Sequence, residues 1–506
     1  MAKRNKSTFQ SSGNQKATNM RQILIIVLLS LGMTSGFSQT FTARVLDSES
    51  GEPIPYATVA IAPDRGTITN EEGYFSLDLP AVTQPILVSC MGFETLEVPV
   101  GELSESSVIE LQPAPINLNE VYLDNRIPEA EEIIREVHKN LSANYPESDS
   151  PYQFFYRETS YMNFDQLDME LEKNSDLKRD ELENARRELQ EFGDFIAESR
   201  AIKFLDFNGQ FQFQQDTSLL RVERATELLD ARKDFTMENL QERAQDIILS
   251  HLDSTKTYKV KTGMFKVEDS LSMGDEFSEQ DEMDSLQVSY LNNMIADVAG
   301  MSRMKEGKRL YDFLDMDAYR YEFLEPTYFD GHYVYAVSFR PRKRRAKFQG
   351  TLYIDASTYA VLKSDYRYAK GRQGEKVNLK LLLGVKYVEH LDRGTLIFKQ
   401  NPEGKYYPYY IQKEYGNYFY LHRNLKFIEN GPTSKKVQFD FLLEGGLRQK
   451  ESLLMSPAEA SQTTLASLEG PEKIPVQKLE QYEPTIWQDT QIIAPLEEMK
   501  NFRVEK

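Results

Sequence analysis

The segments Thr42-Ala43-Arg44-Val45-Leu46-Asp47, Gly51-Glu52-Pro53-Ile54-Pro55-Tyr56-Ala57-Thr58-Val59-Ala60-Ile61, Thr67-Ile68-Thr69-Asn70-Glu71-Glu72-Gly73-Tyr74-Phe75-Ser76-Leu77 and Ile86-Leu87-Val88-Ser89-Cys90-Met91-Gly92-Phe93 decide the fold of the first part of the chain. These strand-like runs are short. Turn chemistry at Ser50-Gly51-Glu52-Pro53 and Asn70-Glu71-Glu72-Gly73 separates them, at the spacing of an all-β sandwich. No room is left for helices between residues 40 and 113. Ala57, Val59, Ile61, Phe75 and Leu77 alternate, which sends one face of each strand into a core.

Ahead of this unit, Lys3, Arg4, Lys6, Lys16 and Arg21 precede an apolar run from Ile23 to Leu31 and small residues at Gly36 and Ser38. That is the order of a secretory signal peptide, assigned to residues 1–38. The apolar run is shorter than the roughly 20 residues of a permanent span. An uncleaved N-terminal anchor is the alternative, because the leading hydrophilic stretch is long. Cleavage after Ser38 leaves Gln39 first, with no cysteine to take a lipid. The expected location is therefore across the inner membrane, in the periplasm or associated with the outer membrane, with no transmembrane span in the mature chain.

The pattern Gly51-x-Pro53-x-Pro55-x-Ala57-x-Val59, the Thr69-x-x-x-Gly73-x-Phe75 turn and strand, and Met91-Gly92-Phe93 resemble the carboxypeptidase regulatory-like, transthyretin-like domain that opens many secreted proteins and TonB-dependent receptors of Bacteroidota. The resemblance implies a transthyretin-like β-sandwich over residues 40–113 and a Bacteroidota envelope protein. It implies no reaction, since the domain takes its name from the metallocarboxypeptidases to which it is attached.

The 506 residues suffice for about three domains. The net charge of −19 argues against a broad nucleic-acid surface. Cys90 is the single cysteine, so the chain has no internal disulfide and no cysteine cluster for zinc. Its apolar neighbours make it a buried structural thiol. A zinc carboxypeptidase needs two histidines and a glutamate as ligands. His138, His251, His332, His390 and His422 have no partner histidine nearby and no His-x-x-Glu spacing. A nucleophile elbow of the Gly-x-Ser-x-Gly kind is also missing. No catalytic residue, cofactor or metal site is assigned, and the chain reads as noncatalytic.

Residues 114–128 form a linker. Residues 129–300 read as a mixed helical and β region. In it, Ala130 to Leu141 has helical spacing and Tyr152 to Glu158 has the pattern of a strand. The helix, Tyr-Pro, Tyr-Arg-Glu order resembles the stretch directly C-terminal to the sandwich in a group of Bacteroidota envelope proteins. Gln166 to Glu191, with Leu167, Leu171, Leu182 and Leu189 among charges, reads as a solvated or partner-facing helix. Phe204 to Phe213 alternates, and Ala225 to Leu252 reads as helical. Glu268 to Asp284 reads as an acidic loop without the oxygen spacing of a calcium loop.

Residues 301–450 switch to period two, as in Tyr333-x-Tyr335-x-Val337-x-Phe339, and read as an antiparallel β-rich domain. Turns are expected at Asp330-Gly331, Asp392-Arg393-Gly394 and Asn401 to Gly404. Gly350 to Val361 resembles, loosely, the strand, turn, strand unit of envelope proteins with curved open sheets, including lipoprotein carriers. That implies a concave face able to hold an apolar ligand or peptide. A membrane barrel is the weaker reading, because charge interrupts the strands.

The basic cluster Arg340, Arg342, Lys343, Arg344 and Arg345 is the candidate interaction site, suited to phosphate or lipopolysaccharide head groups. A solvated hairpin tip is the plainer account. Residues 451–506 form a loose tail that ends in an ordered clasp around Trp487. The fold class is mainly β with α additions. The function expected is a secreted envelope interaction module joined to a domain that binds a protein, peptide, glycan or lipid. An unrecognised hydrolase and a periplasmic lipid or lipoprotein carrier are the alternatives.

Overall fold

A computed structural model describes residues 40–62, 65–78, 84–104, 106–114, 128–146, 150–198, 200–215, 217–230, 246–247, 250–253, 255–262, 265–272, 285–330, 332–432, 434–458, 470–488 and 490–504. The signal peptide and nearly all of the linker lie outside them.

Seven strands, β1 (Thr40–Asp47), β2 (Thr58–Ala62), β3 (Arg65–Ile68), β4 (Tyr74–Asp78), β5 (Ile86–Ser89), β6 (Leu96–Val98) and β7 (Ser107–Leu111), build the N-terminal sandwich. One sheet has the order β4-β1-β7 and the other β3-β2-β5-β6. Val45, Ala57, Val59, Phe75, Val88 and Leu111 are buried between them. Gly73 has a positive φ of 79°, and a Cβ there would lie 2.6 Å from the Val45 carbonyl oxygen. The turn therefore requires glycine. Ile61 is half-buried at the edge of the core. Cys90 follows β5 and is half-buried as a residue, packed against the sandwich core.

The second unit starts with α1 (Ala130–Asn144), β8 (Tyr152–Asn174), α2 (Arg179–Glu198), β9 (Arg200–Gln214) and β10 (Thr217–Leu229). It continues through β11 (Thr257–Thr262), β12 (Phe265–Ser272), β13 (Ser285–Gln287), α3 (Val288–Gly300), α4 (Arg309–Asp312), β14 (Tyr319–Phe323), β15 (Thr327–Phe329), β16 (His332–Pro341), β17 (Phe348–Asp355) and β18 (Val361–Tyr368). It ends with β19 (Lys376–Leu379), α5 (Lys380–Leu383), β20 (Val385–Gln400), β21 (Tyr406–Glu429), β22 (Lys436–Pro457), β23 (Lys473–Pro475), β24 (Gln477–Leu479) and α6 (Glu497–Lys500). One open sheet runs β14-β16-β17-β18-β20-β21-β22-β8-β9-β10-β24, antiparallel except for the β10–β24 pair. The chain is thus mainly β with α additions, and the sheet does not close into a barrel.

Alternation along β8 shows how the layers form. Phe154 and Tyr156 face the helices, where Ile133, Ile134 and Val137 of α1 and Leu291, Ile295 and Val298 of α3 complete the main core. Phe155 faces the other way, onto Trp487, Ile492 and Ile493 of the C-terminal clasp and Ile68 of the sandwich. The far halves of the long strands β8, β21 and β22 are covered by Ala185, Leu189 and Ile196 of α2.

Several expectations are corrected. Residues 166–174 belong to β8 rather than to a helix, and Leu167, Met169 and Leu171 bury their side chains under α2 with a period of two. Ala225 to Leu229 completes β10, so helix is absent there. Phe265–Ser272 is a strand, which takes the start of the expected acidic loop; residues 273–284 lie outside the described ones. Asp392, Arg393 and Gly394 run through β20 without a turn. The boundary at residue 300 separates no sheets, because β8 pairs with β22 over almost its whole length. The face expected to hold an apolar ligand is filled by α1, α3 and residues 301–319.

Candidate functional site

The sandwich is fixed to the sheet through the clasp. Thr67 donates its hydroxyl to the Ile492 carbonyl at 2.7 Å, and the Asn70 amide donates to the Ala494 and Pro495 carbonyls at 3.3 and 3.1 Å. Tyr409 donates to the Thr67 carbonyl at 3.0 Å, and Lys450 pairs with Glu71 at 2.7 Å. Beneath the clasp, Arg157 forms a bidentate ion pair with Asp206, at 2.8 and 2.6 Å, and donates to the Ile493 carbonyl at 3.0 Å. Buried polar groups satisfied in this way make the joint specific.

Next to this joint the two units diverge and leave a cleft of about 820 Å³ among the described residues. The sandwich contributes the outer face of β2 and β5, with Ala60 and Leu87, together with Ile61. The sheet contributes Phe329, Leu362, Phe398 and Tyr406, with four polar side chains among them, Asp330, His332, Asp355 and Lys399.

Lys399 is the unusual member. It shares a strand face with Ile397, turned toward the sandwich, and its Nζ sits 3.7 Å from the centroid of the Tyr409 ring. Among the described residues no carboxylate stands within ion-pair distance of it. Burial brings its pKa from the ordinary 10.5 down to about 7, with the more distant Asp330 offsetting a little of that effect. A desolvated ammonium held by one aromatic face has unused capacity for an anion.

Asp355 closes the turn between β17 and β18. Its Oδ1 accepts from the Ser357 and Thr358 backbone N–H groups at 2.9 and 2.7 Å and from both hydroxyls at 2.6 and 3.0 Å. Burial pushes this carboxyl up, but the hydrogen bonds from Ser357 and Thr358 outweigh it and hold the pKa below the ordinary range. The other oxygen lies 3.5 Å from Nδ1 of His332, at the mouth of the cleft.

The remaining histidines stand apart, with His390 exposed on β20. His138 bonds the Leu314 carbonyl, His251 bonds the Ile247 carbonyl, and His422 pairs with Asp440 on an exposed strand face. Among the described residues no three His, Cys, Asp or Glu side chains are placed to hold a metal ion. Burial pushes the Cys90 thiol up, away from nucleophilic use.

Of the basic cluster that runs from the end of β16 into its turn toward β17, Arg340 pairs with Glu322, Lys343 with Asp317 at 3.5 Å, and Arg345 with Asp315 at 2.6 Å. Arg342 and Arg344 are exposed. Three of the five cations thus face carboxylates of their own chain. Lys399 escaped sequence reasoning because nothing local marks it. The available signal was its place one alternation after Ile397, where the strand phase calls for an apolar residue.

Residues 42–123 match the family model of the CarboxypepD_reg-like domain. No curated protein matches the chain. Among solved structures, an outer membrane lipoprotein-sorting protein domain from Vibrio parahaemolyticus aligns with 67% of this chain and 97% of its own, at 10% identity. Its TM-score of 0.20 is too low to carry an argument. Among the described residues no helix is long and apolar enough to cross a membrane. The two-sheet core, the Gly73 turn and the family match agree that the N-terminal unit is a carboxypeptidase regulatory-like domain.

Proposed function

We propose that the protein is a noncatalytic binding protein of the cell envelope, and that its ligand lies in the cleft between the sandwich and the sheet. The ligand has an apolar body and one anionic group. The observation that carries this reading is Lys399, a cation with no carboxylate in ion-pair distance among the described residues, at the wall of a cleft that sets apolar side chains beside Glu97, Asp330 and Asp355. Leu87, Phe329, Leu362 and Phe398 suit the apolar body. The anion relieves the desolvated ammonium, so binding takes up a proton wherever the free lysine is neutral.

Calorimetric titration of the full chain with dodecanoate, with neutral dodecyl maltoside as control, tests the reading. Dodecanoate binds and Lys399→Met abolishes the preference for it; equal binding of both probes, or an unchanged preference in Lys399→Met, refutes it. An apolar hexapeptide with a free or amidated C-terminus distinguishes a peptide carboxylate from a lipid one.

A hydrolase is the second reading, favoured by His332 and Asp355 meeting at the cleft mouth. It requires His332→Ala to remove turnover of a cleft-bound ester while binding persists.

A further inference from the structure

Away from the cleft, residues 376–388 form a hairpin tip of unusual character. Its sequence is Lys-Val-Asn-Leu-Lys-Leu-Leu-Leu-Gly-Val-Lys-Tyr-Val. The strands β19 and β20 pair from Lys376↔Val388 to Leu379↔Val385, and the single turn α5 caps them. Leu381 is 101% exposed and Leu382 81%, with Val377, Leu379 and Leu383 also exposed. Leucines at the apex of a protrusion lose water only when the tip enters another phase or a pocket.

The apex is built, not loose. Gly384 ends the turn with a positive φ of 60°, and a Cβ there would lie 2.3 Å from the His422 carbonyl oxygen. The His422 N–H in turn donates to the Gly384 carbonyl at 2.8 Å, so β21 holds the tip in position.

Charge decides what the tip meets. Residues 376–388 contain Lys376, Lys380 and Lys386 and no acid, in a chain of net charge −19. The first acids, Glu375 and Glu389, sit one register step below, toward the sheet. On the strands beyond, Asp440 of β22 hydrogen-bonds His422 of β21 at 2.8 Å, and Glu444 accepts the Tyr418 hydroxyl at 2.5 Å. The Lys380 ammonium lies 3.6 Å from the Tyr420 ring and the Lys386 ammonium 4.5 Å from the Tyr418 ring. Tyr387 completes a half-buried aromatic collar. An apolar apex beside a collar of tyrosines and lysines matches acyl chains meeting the interface and its phosphates along a bilayer normal.

We infer that this tip inserts Leu381, Leu382 and Leu383 into a lipid bilayer with anionic head groups, and that Lys376, Lys380 and Lys386 meet the phosphates. The inference is independent of the cleft.

The test places a reporter at the apex of the full chain. L382W is mixed with vesicles of phosphatidylcholine and phosphatidylglycerol, with or without brominated acyl chains. Trp487 is buried and serves as a constant background. The tip emission moves to the blue and is quenched by the brominated chains. In flotation, L381D/L382D weakens binding at least about tenfold, from the apolar surface two leucines bury. K376Q/K380Q/K386Q lowers it roughly fivefold per lysine at low salt on anionic vesicles, and far less on phosphatidylcholine alone. Leu381 and Leu382 are exposed and belong to no core cluster, so circular dichroism of L381D/L382D remains that of the parent. Emission unchanged by vesicles overturns the inference, whether the tip stays in water or docks on a protein. Equal flotation of L381D/L382D overturns it too.

Discussion

Replacing Lys399 by methionine keeps the stem of the side chain and removes the ammonium. Burial brings the pKa of that ammonium from 10.5 to about 7. At about 1.36 kcal/mol per pH unit, the depression corresponds to about 5 kcal/mol of unfavourable charge burial. The side chain keeps partial exposure. Solvent screening then leaves about 2 to 3 kcal/mol. Below pH 7 the lysine is protonated in both the folded and the unfolded chain, and the folded state carries the whole penalty. Between pH 7 and 10.5 the unfolded chain binds a proton that the folded chain does not, so stability rises with pH. Lys399→Met is therefore more stable than the parent by about 2 to 3 kcal/mol at pH 6. Its advantage shrinks through that window and is gone near its upper end. Urea unfolding monitored by Trp487 fluorescence at a series of pH values measures this. A variant no more stable than the parent at pH 6, or an advantage that does not change with pH, refutes the reasoning.

Asp206→Ala strands the buried Arg157 guanidinium beneath the clasp. The cost is about 3 to 5 kcal/mol, and limited proteolysis then cuts the chain between residues 484 and 500 faster than in the parent. Gly350→Ala places a Cβ 1.9 Å from the Asp365 carbonyl oxygen and 2.8 Å from the Phe339 ring. It lowers the stability of the sheet by about 1 to 3 kcal/mol in urea titration. Asp355 has a carboxyl pKa below the ordinary range, so its contribution is present above the unfolded pKa and is lost as pH falls through the folded one. Asp355→Asn consequently has a lower Tm than the parent at pH 7, and the gap narrows as the pH is taken down through the carboxylate range.

The sandwich was legible because its information is local. Turn glycines and alternating Val45, Ala57, Val59, Phe75 and Leu77 identify strands whose partners are near in sequence. The large sheet was legible as strands but not as one body, since β8 reaches β22 across almost three hundred residues and no local pattern specifies that pairing. Charges around Leu167, Met169 and Leu171 made an amphipathic helix plausible. Their period of two was the better guide, and the charged residues between them simply form the other face of the strand. Asp392-Arg393-Gly394 has the composition of a turn. In the fold Asp392 is buried against Arg309 at 2.9 Å, and Gly394 is needed because a Cβ there would lie 2.2 Å from the Gln412 carbonyl oxygen. Such a glycine marks close backbone approach within a strand. Lys399 was not legible, because its significance comes from facing the separate surface of β2 and β5 across the cleft. The leucine tip was readable in composition, but a run of Leu-Leu-Leu reads equally well as core until the fold leaves it exposed.

Everything proposed for the cleft depends on Lys399 being a desolvated cation kept for an anionic ligand. Competitive amine labelling with peptide mass spectrometry, performed across a pH series with and without dodecanoate, reads its titration directly. The expected midpoint lies near pH 7 in the free protein and shifts toward higher pH when dodecanoate is present. A free midpoint near that of ordinary lysines, or one that dodecanoate does not move, contradicts that role.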